Sequence, residues 1–320
     1  YMGYRTRVME NMVDTSKEIT PGRGILSVTS INLPRIGIKN GTSLNGKANL
    51  NGFFQELEEK LDLVKDQLLE RFEMQCSKKV YNFPFLLGQA LWIDSEKLKE
   101  TDNLKKVLKQ GTMSIGFTGL AECLKALTGK HHGESKEAQE LGLKIISFMR
   151  EKCDKYSEKY NLNFSLTATP SGNLSTDLIQ MDQAIYGKIK NITDKEIYTD
   201  SFQLPKGYKI SAEKKIEIEA PYHKLTNGGH ITEINLPEDA ILSDFMKILA
   251  FDIGGTNIKY ALCNEKFNIT DRHTVPTEAE KGGQELVQKV IRIIESYDDI
   301  DRIATVSYTH LRAHETRGNL

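Results

Sequence analysis

Residues 111–127, GTMSIGFTGLAECLKAL, decide the fold. They read as a strand, a glycine turn at Gly119 and an apolar helix over Leu120–Leu127, the strand–helix unit of an α/β protein. Upstream, residues 82–92 (NFPFLLGQALW) lead into a charged stretch whose spacing predicts a helix from Ser95, as N-cap, to Lys109. Before that, Phe54, Leu57, Leu61, Val64, Leu68, Leu69 and Phe72 recur at helical spacing, so Phe53–Met74 is an amphipathic helix. Residues 41–52, rich in Gly and Asn, form a loop. Residues 22–38, GRGILSVTSINLPRIGI, give a glycine-initiated strand ended by Pro34, which has no N–H for a sheet ladder.

Downstream, Glu134–Tyr160 is a second long helix with Leu141, Leu143, Ile145, Ile146 and Met149 on its apolar side. NFSLTATP (163–170) is a strand stopped by Pro170, and partial alternation in 208–223 predicts another strand. Composition alone does not separate an open sheet from a barrel. Near Ile241 the pattern restarts. Residues 246–264 read as strand–turn–strand, 267–275 as a third strand and Gln284–Tyr297 as a helix, the start of a second domain. Residues 306–320 show no period.

Composition narrows the function classes. The 320 residues carry a formal net charge of -1, which gives no electrostatic reason to expect nucleic acid or an anionic membrane as partner. Charged residues at 27% and hydrophobic residues at 39% fit a globular chain. No apolar run approaches the roughly 20 residues of a membrane span, and the first residues lack the apolar core of a signal peptide. The four cysteines, Cys76, Cys123, Cys153 and Cys263, form no C-x-x-C pair, which argues against a zinc site or a disulfide framework and fits a reducing cytoplasm. Cys123 reads as a packing residue, and Cys76 and Cys153 as inert thiols.

Six segments in order, MGYRTRV (2–8), 22–35, FPFLLGQALW (83–92), 111–124, 163–170 and EAPYHKLTNGGHI (219–231), resemble the anaerobic, glycyl-radical ribonucleoside-triphosphate reductases. The resemblance implies a partial ten-stranded α/β barrel over 1–240. In that barrel a glycyl radical generates a thiyl radical, which takes the ribose 3′ hydrogen. It further implies a ribonucleoside triphosphate as substrate, a radical-SAM activating protein as partner, a homodimer in the intact family, and a structural zinc. By the same resemblance Arg5, Ser30, Asn32, Ser114, Thr169, His223 and Asn227 bind substrate. For His223, Asn227 and His230 a glycine turn with hydrogen-bonded histidines is the competing reading.

The chain departs from the family pattern at three places. Tyr4 stands where the family has the thiyl cysteine, and a resonance-stabilised phenoxyl is a poorer hydrogen abstractor. Ile25 stands at a substrate-binding asparagine position and neither donates nor accepts a hydrogen bond. Ser171-Gly172-Asn173 replaces the family's loop after the third strand. The zinc cysteines and glycyl-radical loop of the family have no counterpart after Ala240. The expectation is an inactive reductase fragment.

Residues 246–304 resemble the opening of ROK-family sugar kinases and repressors, through KILAFDIGGTNIK (247–259). That resemblance implies a partial actin-like (ribonuclease H-like) lobe over 246–305 after a junction at 241–245, binding Mg-ATP. Asp252 would act through Mg²⁺, and the backbone of Gly254, Gly255 and Thr256 would face phosphate. A plain Gly-Gly hairpin is the alternative. The tail 306–320 resembles translated adapter sequence, so its His310/His314 spacing implies no metal site. A chimeric product without evolved function is the third expectation.

Overall fold

A computed structural model of the chain describes residues 6–8, 11–17, 21–42, 46–169, 172–234, 247–254, 256–263, 268–278, 281–297, 300 and 302–307. The chain divides into two compact units, Tyr1–Asn235 and Leu236–Leu320. The junction expected at 241–245 and the tail beyond Ser307 lie outside the described residues.

The first unit is built on a parallel sheet of order β1-β2-β3: β1 (Ile25–Asn32), β2 (Thr112–Thr118) and β3 (Asn163–Thr167). β1 ends at Asn32, one residue earlier than a Pro34 stop requires. Asn32 closes the strand and caps helix α1 (Leu33–Asn40), its side chain accepting from Arg35 N, with Pro34 in the first turn, where a missing N–H costs nothing. Helix α2 (Leu50–Cys76) starts at Asn49, whose side chain accepts from Gly52 N at 3.0 Å. Its stripe of Phe53, Leu57, Leu61, Leu68 and Phe72 is at most 2% exposed. Full burial of such a side chain stabilises by about 1.5–3 kcal/mol.

The long charged helix expected over Ser95–Lys109 does not form. Asp94, not Ser95, precedes a single 3-10 turn, Ser95–Lys97, and only α3 (Lys105–Leu108) follows. The Ser95 hydroxyl donates to Trp92 O at 2.6 Å instead of capping a helix. Beyond β2, Gly119 (φ +74) and Gly129 (φ +79) bracket α4 (Leu120–Thr128) in left-handed conformations suited to glycine. Helix α5 (Lys136–Tyr160) is capped by Ser135, whose Oγ accepts from Ala138 N at 3.1 Å. The sequence reading passed over α6 (Leu174–Tyr186).

Residues 208–223, expected as a strand, hold helix α7 (Ala212–His223). Ser211 caps it, accepting from Lys214 N at 3.3 Å. The run AEKKIEIE satisfies strand alternation and helix propensity alike, and here the cap decides. Glu219 and Tyr222, three residues apart, form its buried side.

The second unit is a four-stranded sheet of order β6-β5-β4-β7, made of β4 (Ile248–Ile253), β5 (Asn257–Cys263), β6 (Ile269–Pro276) and β7 (Arg302–Ser307). β4, β5 and β6 form an antiparallel meander. After helix α8 (Gly283–Glu295), β7 returns parallel to β4. Leu286, Val290, Ile293 and Ile294 of α8 pack against Leu249, Phe251 and Ile258. No described helix is long and apolar enough to cross a membrane.

Candidate functional site

Side chains alternate across a strand, so the register sorts the parallel sheet of the first unit into two faces. Met113, Ile115, Phe117, Phe164 and Leu166 lie on one, within the main apolar cluster. Thr112, Ser114, Gly116 and Thr118 of β2 lie on the other, with Asn163, Ser165 and Thr167 of β3, and Val28, Ser30 and Asn32 of β1. This second face is made almost wholly of hydroxyls and amides. Ser114 and Thr118 are fully buried, and Thr112, Asn163, Ser165 and Thr167 are at most 5% exposed. Burying so many polar groups is costly unless each is partnered.

Most are partnered. Ser114 Oγ and Ser165 Oγ share a 2.8 Å hydrogen bond, and Thr118 Oγ1 shares one of 2.8 Å with Ser175 Oγ. Thr167 Oγ1 donates to Gly228 O at 3.2 Å. Gly116 leaves room for Ser30, because a Cβ there would stand 2.5 Å from Ser30 Oγ. At the C-terminal end of β1, Asn32 Nδ2 donates to Asp182 Oδ2 at 2.8 Å. The buried Asp182 also accepts from Arg35 Nε at 2.5 Å and Tyr198 OH at 2.8 Å. Burial beside that carboxylate raises the Tyr198 phenol above its ordinary range.

One buried hydroxyl on this face is left over. Thr112 Oγ1 has no hydrogen-bond partner among the described residues. Thr112 lines a cavity of about 280 Å³ with Met12, Asn163, Ser165 and Asn227 on one side and Arg150, Asp154, Ser157 and Glu158 of α5 on the other.

The segment 227–230 extends the sheet beyond β3. Asn227 Oδ1 accepts from Leu166 N at 3.1 Å, Gly228 N donates to Leu166 O at 2.8 Å, and Ala168 N donates to Gly229 O at 2.8 Å. Gly228 permits this approach, since a Cβ would lie 2.7 Å from Ser165 Oγ. Arg7 N in turn donates to Gly228 O at 2.8 Å, which fastens residues 6–8 beside the same loop. The His223 and His230 rings stack with centroids 4.0 Å apart. His223 Nε2 meets Thr232 Oγ1 at 3.1 Å and His230 Nδ1 meets Thr226 Oγ1 at 3.2 Å. Burial lowers both pKa values, which favours the neutral pair that close stacking requires.

The structure therefore gathers Ser30, Asn32 and Ser114 on one face and Asn227 at its margin, with His230 bridged to Ala168 and His223 stacked on it. Half-buried Thr169 follows β3, its carbonyl accepting from Ser201 Oγ at 3.3 Å. Ile25 sits apart, as the first residue of β1 where Asn32 is the last, about 23 Å along the strand at roughly 3.3 Å per residue. Tyr4 and Arg5 lie outside the described residues. Sequence reasoning missed Thr112, Thr118, Ser165 and Thr167. The alternation T-S-G-T against M-I-F in 112–118 was the signal that could have found them.

Cys76, Cys123 and Cys153 belong to the apolar cluster, not to the polar face. Burial pushes their thiols up, Cys76 to about 11 and Cys153 to about 12, so they resist ionisation. Among the described residues no three His, Cys, Asp or Glu side chains group as a metal site. In the second unit, Asp252 is exposed on β4. Gly254 N donates to Asn257 O at 3.0 Å, and Thr277 Oγ1 donates to Gly254 O at 2.6 Å. The Gly254 amide, expected to face phosphate, is committed to the turn. Thr256 is exposed, its carbonyl accepting from Thr277 N at 2.8 Å, and Gly255 lies outside the described residues.

Residues 1–297 match the family model described as anaerobic ribonucleoside-triphosphate reductase. The anaerobic ribonucleoside-triphosphate reductase of Salmonella typhimurium is 33% identical over 227 residues, covering 70% of this chain and 30% of that protein. That of Enterobacteria phage T4 is 31% identical over 241 residues, covering 74% and 37%. Among solved structures, the anaerobic ribonucleotide reductase from Thermotoga maritima with glycerol in the active site aligns with a TM-score of 0.52. It is 22% identical over 68% of this chain and 33% of that one, a likeness of fold. The chain spans about a third of the length of the curated relatives it matches. The ordered motifs, the parallel sheet they build and the family match over most of the sequence agree, and the chain belongs to the anaerobic ribonucleoside-triphosphate reductase family.

Proposed function

We propose that the first unit is a catalytic-barrel segment whose hydroxyl-lined sheet face receives the ribose and phosphates of a ribonucleoside triphosphate. The observation that carries this reading is the buried row of Ser114, Ser165, Thr118 and Thr167, with Thr112, whose Oγ1 has no partner among the described residues, lining a cavity. A sugar triphosphate offers the hydroxyls and oxyanions that such donors recognise. Ser30, Asn32 and Ser114 hold the ligand along the face, and Asn227 closes its β3 margin. Arg5, Thr169 and His223 complete the set by resemblance to the family.

Ribonucleotide reduction by this family needs a thiyl at the sugar, generated by a glycyl radical. The three cysteines of the first unit sit in its apolar cluster, on the side of the sheet away from the polar face. Tyr4 replaces the cysteine of the family motif and Ile25 a substrate asparagine. The reading is thus a chain that binds nucleotide and does not reduce it, with no step routed through zinc or radical. No described cluster fits the zinc. In an intact relative the partners would be a radical-SAM activating protein and a second subunit, in the cytoplasm.

Calorimetric titration of the full chain with ATP and CTP tests the binding. Saturable binding weakened at least tenfold by Ser114→Val is expected, a loss of about 1.4 kcal/mol or more. No saturable binding, or binding indifferent to that change in a folded variant, refutes the assignment. Deoxynucleotide formation by the unmodified chain would refute the inactivity.

A second reading concerns residues 247–307. The meander β6-β5-β4 followed by α8 and the parallel β7 supports a partial actin-like kinase lobe of the ROK type. Exposed Asp252 would then act through Mg²⁺ of a bound Mg-ATP. The committed Gly254 amide weakens the phosphate contact. A magnesium-dependent shift of ATP affinity that Asp252→Asn abolishes would support this reading, and ATP affinity indifferent to both would remove it.

A further inference from the structure

The sequence HHGE (131–134) has no part in the polar sheet face, and its geometry points elsewhere. Gly133 N–H donates to His131 Nδ1 at 3.0 Å, so that nitrogen carries no proton and the neutral ring bears its hydrogen on Nε2. His131 is 3% exposed, and burial lowers its pKa, favouring the neutral ring. The Nε2–H has no hydrogen-bond acceptor among the described residues. Glu134 Oε1 stands 3.6 Å away, beyond hydrogen-bond range.

His131 lines a cavity of about 400 Å³ formed by α4, the 131–134 turn and residues 191–208. That volume falls within the roughly 300–1,000 Å³ typical of small-molecule sites. Part of the wall is apolar, made by Ala121, Ile197, Leu204, Pro205 and the Tyr208 ring, which meets His131 edge-on with centroids 4.7 Å apart, and the rest is polar, with Asn191, Thr199 and Gln203 among its residues. Its cations are answered in kind. Lys125 pairs with Glu134 and Lys195 with the buried Glu122, both at 2.7 Å, and exposed Lys206 shares the lining with Asp200. An anion gains little from such a balanced surround.

We propose that this cavity binds an uncharged planar heterocycle through a ring acceptor on His131 Nε2–H, its faces against the apolar wall and Tyr208. The site is separate from the sheet's polar face and does not depend on that face's assignment. Purine carries suitable ring nitrogens. Indole has the same bicyclic outline but only a donor, so it isolates the hydrogen bond from the shape.

The test is titration of the full chain, labelled with ¹⁵N-histidine, with purine and with indole. Purine should bind saturably at or below about 1 mM, shift the His131 Nε2 resonance, and bind at least tenfold more tightly than indole. His131→Phe keeps the ring and removes the donor, and should cost purine at least tenfold. Ile197→Trp, at a 39% exposed rim position, should block entry without touching His131. If His131→Phe does not fold, Ile197→Trp decides. Absence of saturable purine binding, equal affinity for indole, or parental affinity in either folded variant overturns the proposal.

Discussion

The two sheets of this chain bury different chemistry. In the second unit the sheet hides Leu249, Phe251 and Ile258 under one amphipathic helix, and no residue of that helix is fully buried. In the first unit β2 and β3 are buried on both sides, and only one side is apolar. Met113, Ile115 and Leu166 are at most 1% exposed on that side, while Ser114 and Thr118 are as deeply buried on the other. An apolar face needs only exclusion of water. A hydroxyl face needs a partner for every group, so it tolerates change differently and is shaped for something that can hydrogen-bond.

The sharpest way to break this contrast is on the apolar side. Leu166→Ala removes a fully buried side chain of β3 and should destabilise the first unit by about 2–5 kcal/mol, read by chemical denaturation. A loss below about 1 kcal/mol would mean that this face does not carry the unit.

The polar side should respond less and non-additively. Ser114→Ala leaves Ser165 Oγ buried without its partner and should cost about 1–3 kcal/mol. Ser114→Ala/Ser165→Ala removes both groups and should cost less than the two single changes summed, by at least about 0.5 kcal/mol. Strict additivity in that cycle would show that the hydroxyls are independently solvated.

The last effect is set by pH. His132 Nε2 bonds to Phe202 O at 2.7 Å and its Nδ1 has no described partner. Burial lowers its pKa from 6.5 to about 3. Between those values the unfolded chain binds the proton and the folded chain does not, so stability falls as pH drops below about 6.5. The slope from this group is about 1.4 kcal/mol per pH unit. His132→Gln keeps an Nε donor without titrating, and should flatten the slope between pH 6.5 and 5. Parallel curves for the two proteins would place the titration elsewhere.

Local pattern made β1 to β6 and the long helices legible, while β7 went unread. The α2 stripe, the Gly119 turn and the β4–β5 hairpin all follow from residues within one or two turns of each other. The strand expected over 208–223 failed because KIEIE alternates in a run that also favours helix, and a serine cap settled the matter. The helix expected from Ser95 failed because that hydroxyl found Trp92 O within its own turn. Much of the candidate site was less legible. Asn32 and Ser114 were named through family motifs, but Asp182, 150 positions from Asn32, and Tyr198 carry no local sign that they close a network around it. His131 was silent too, since its free donor depends on a glycine amide occupying the other nitrogen.

The register of β1 on β2 sets Ile25 against Thr112, with α1, α2 and α3 between them in the chain. During synthesis at about 5–20 residues per second, β1 waits roughly 4–17 s for the strand that completes it. Over that interval its N–H and C=O groups are open to any neighbouring nascent chain. Gln75 Nε2 on Leu26 O and Arg71 on Thr29 Oγ1 give the emerging strand a provisional escort from α2, in place well before Thr112 leaves the ribosome.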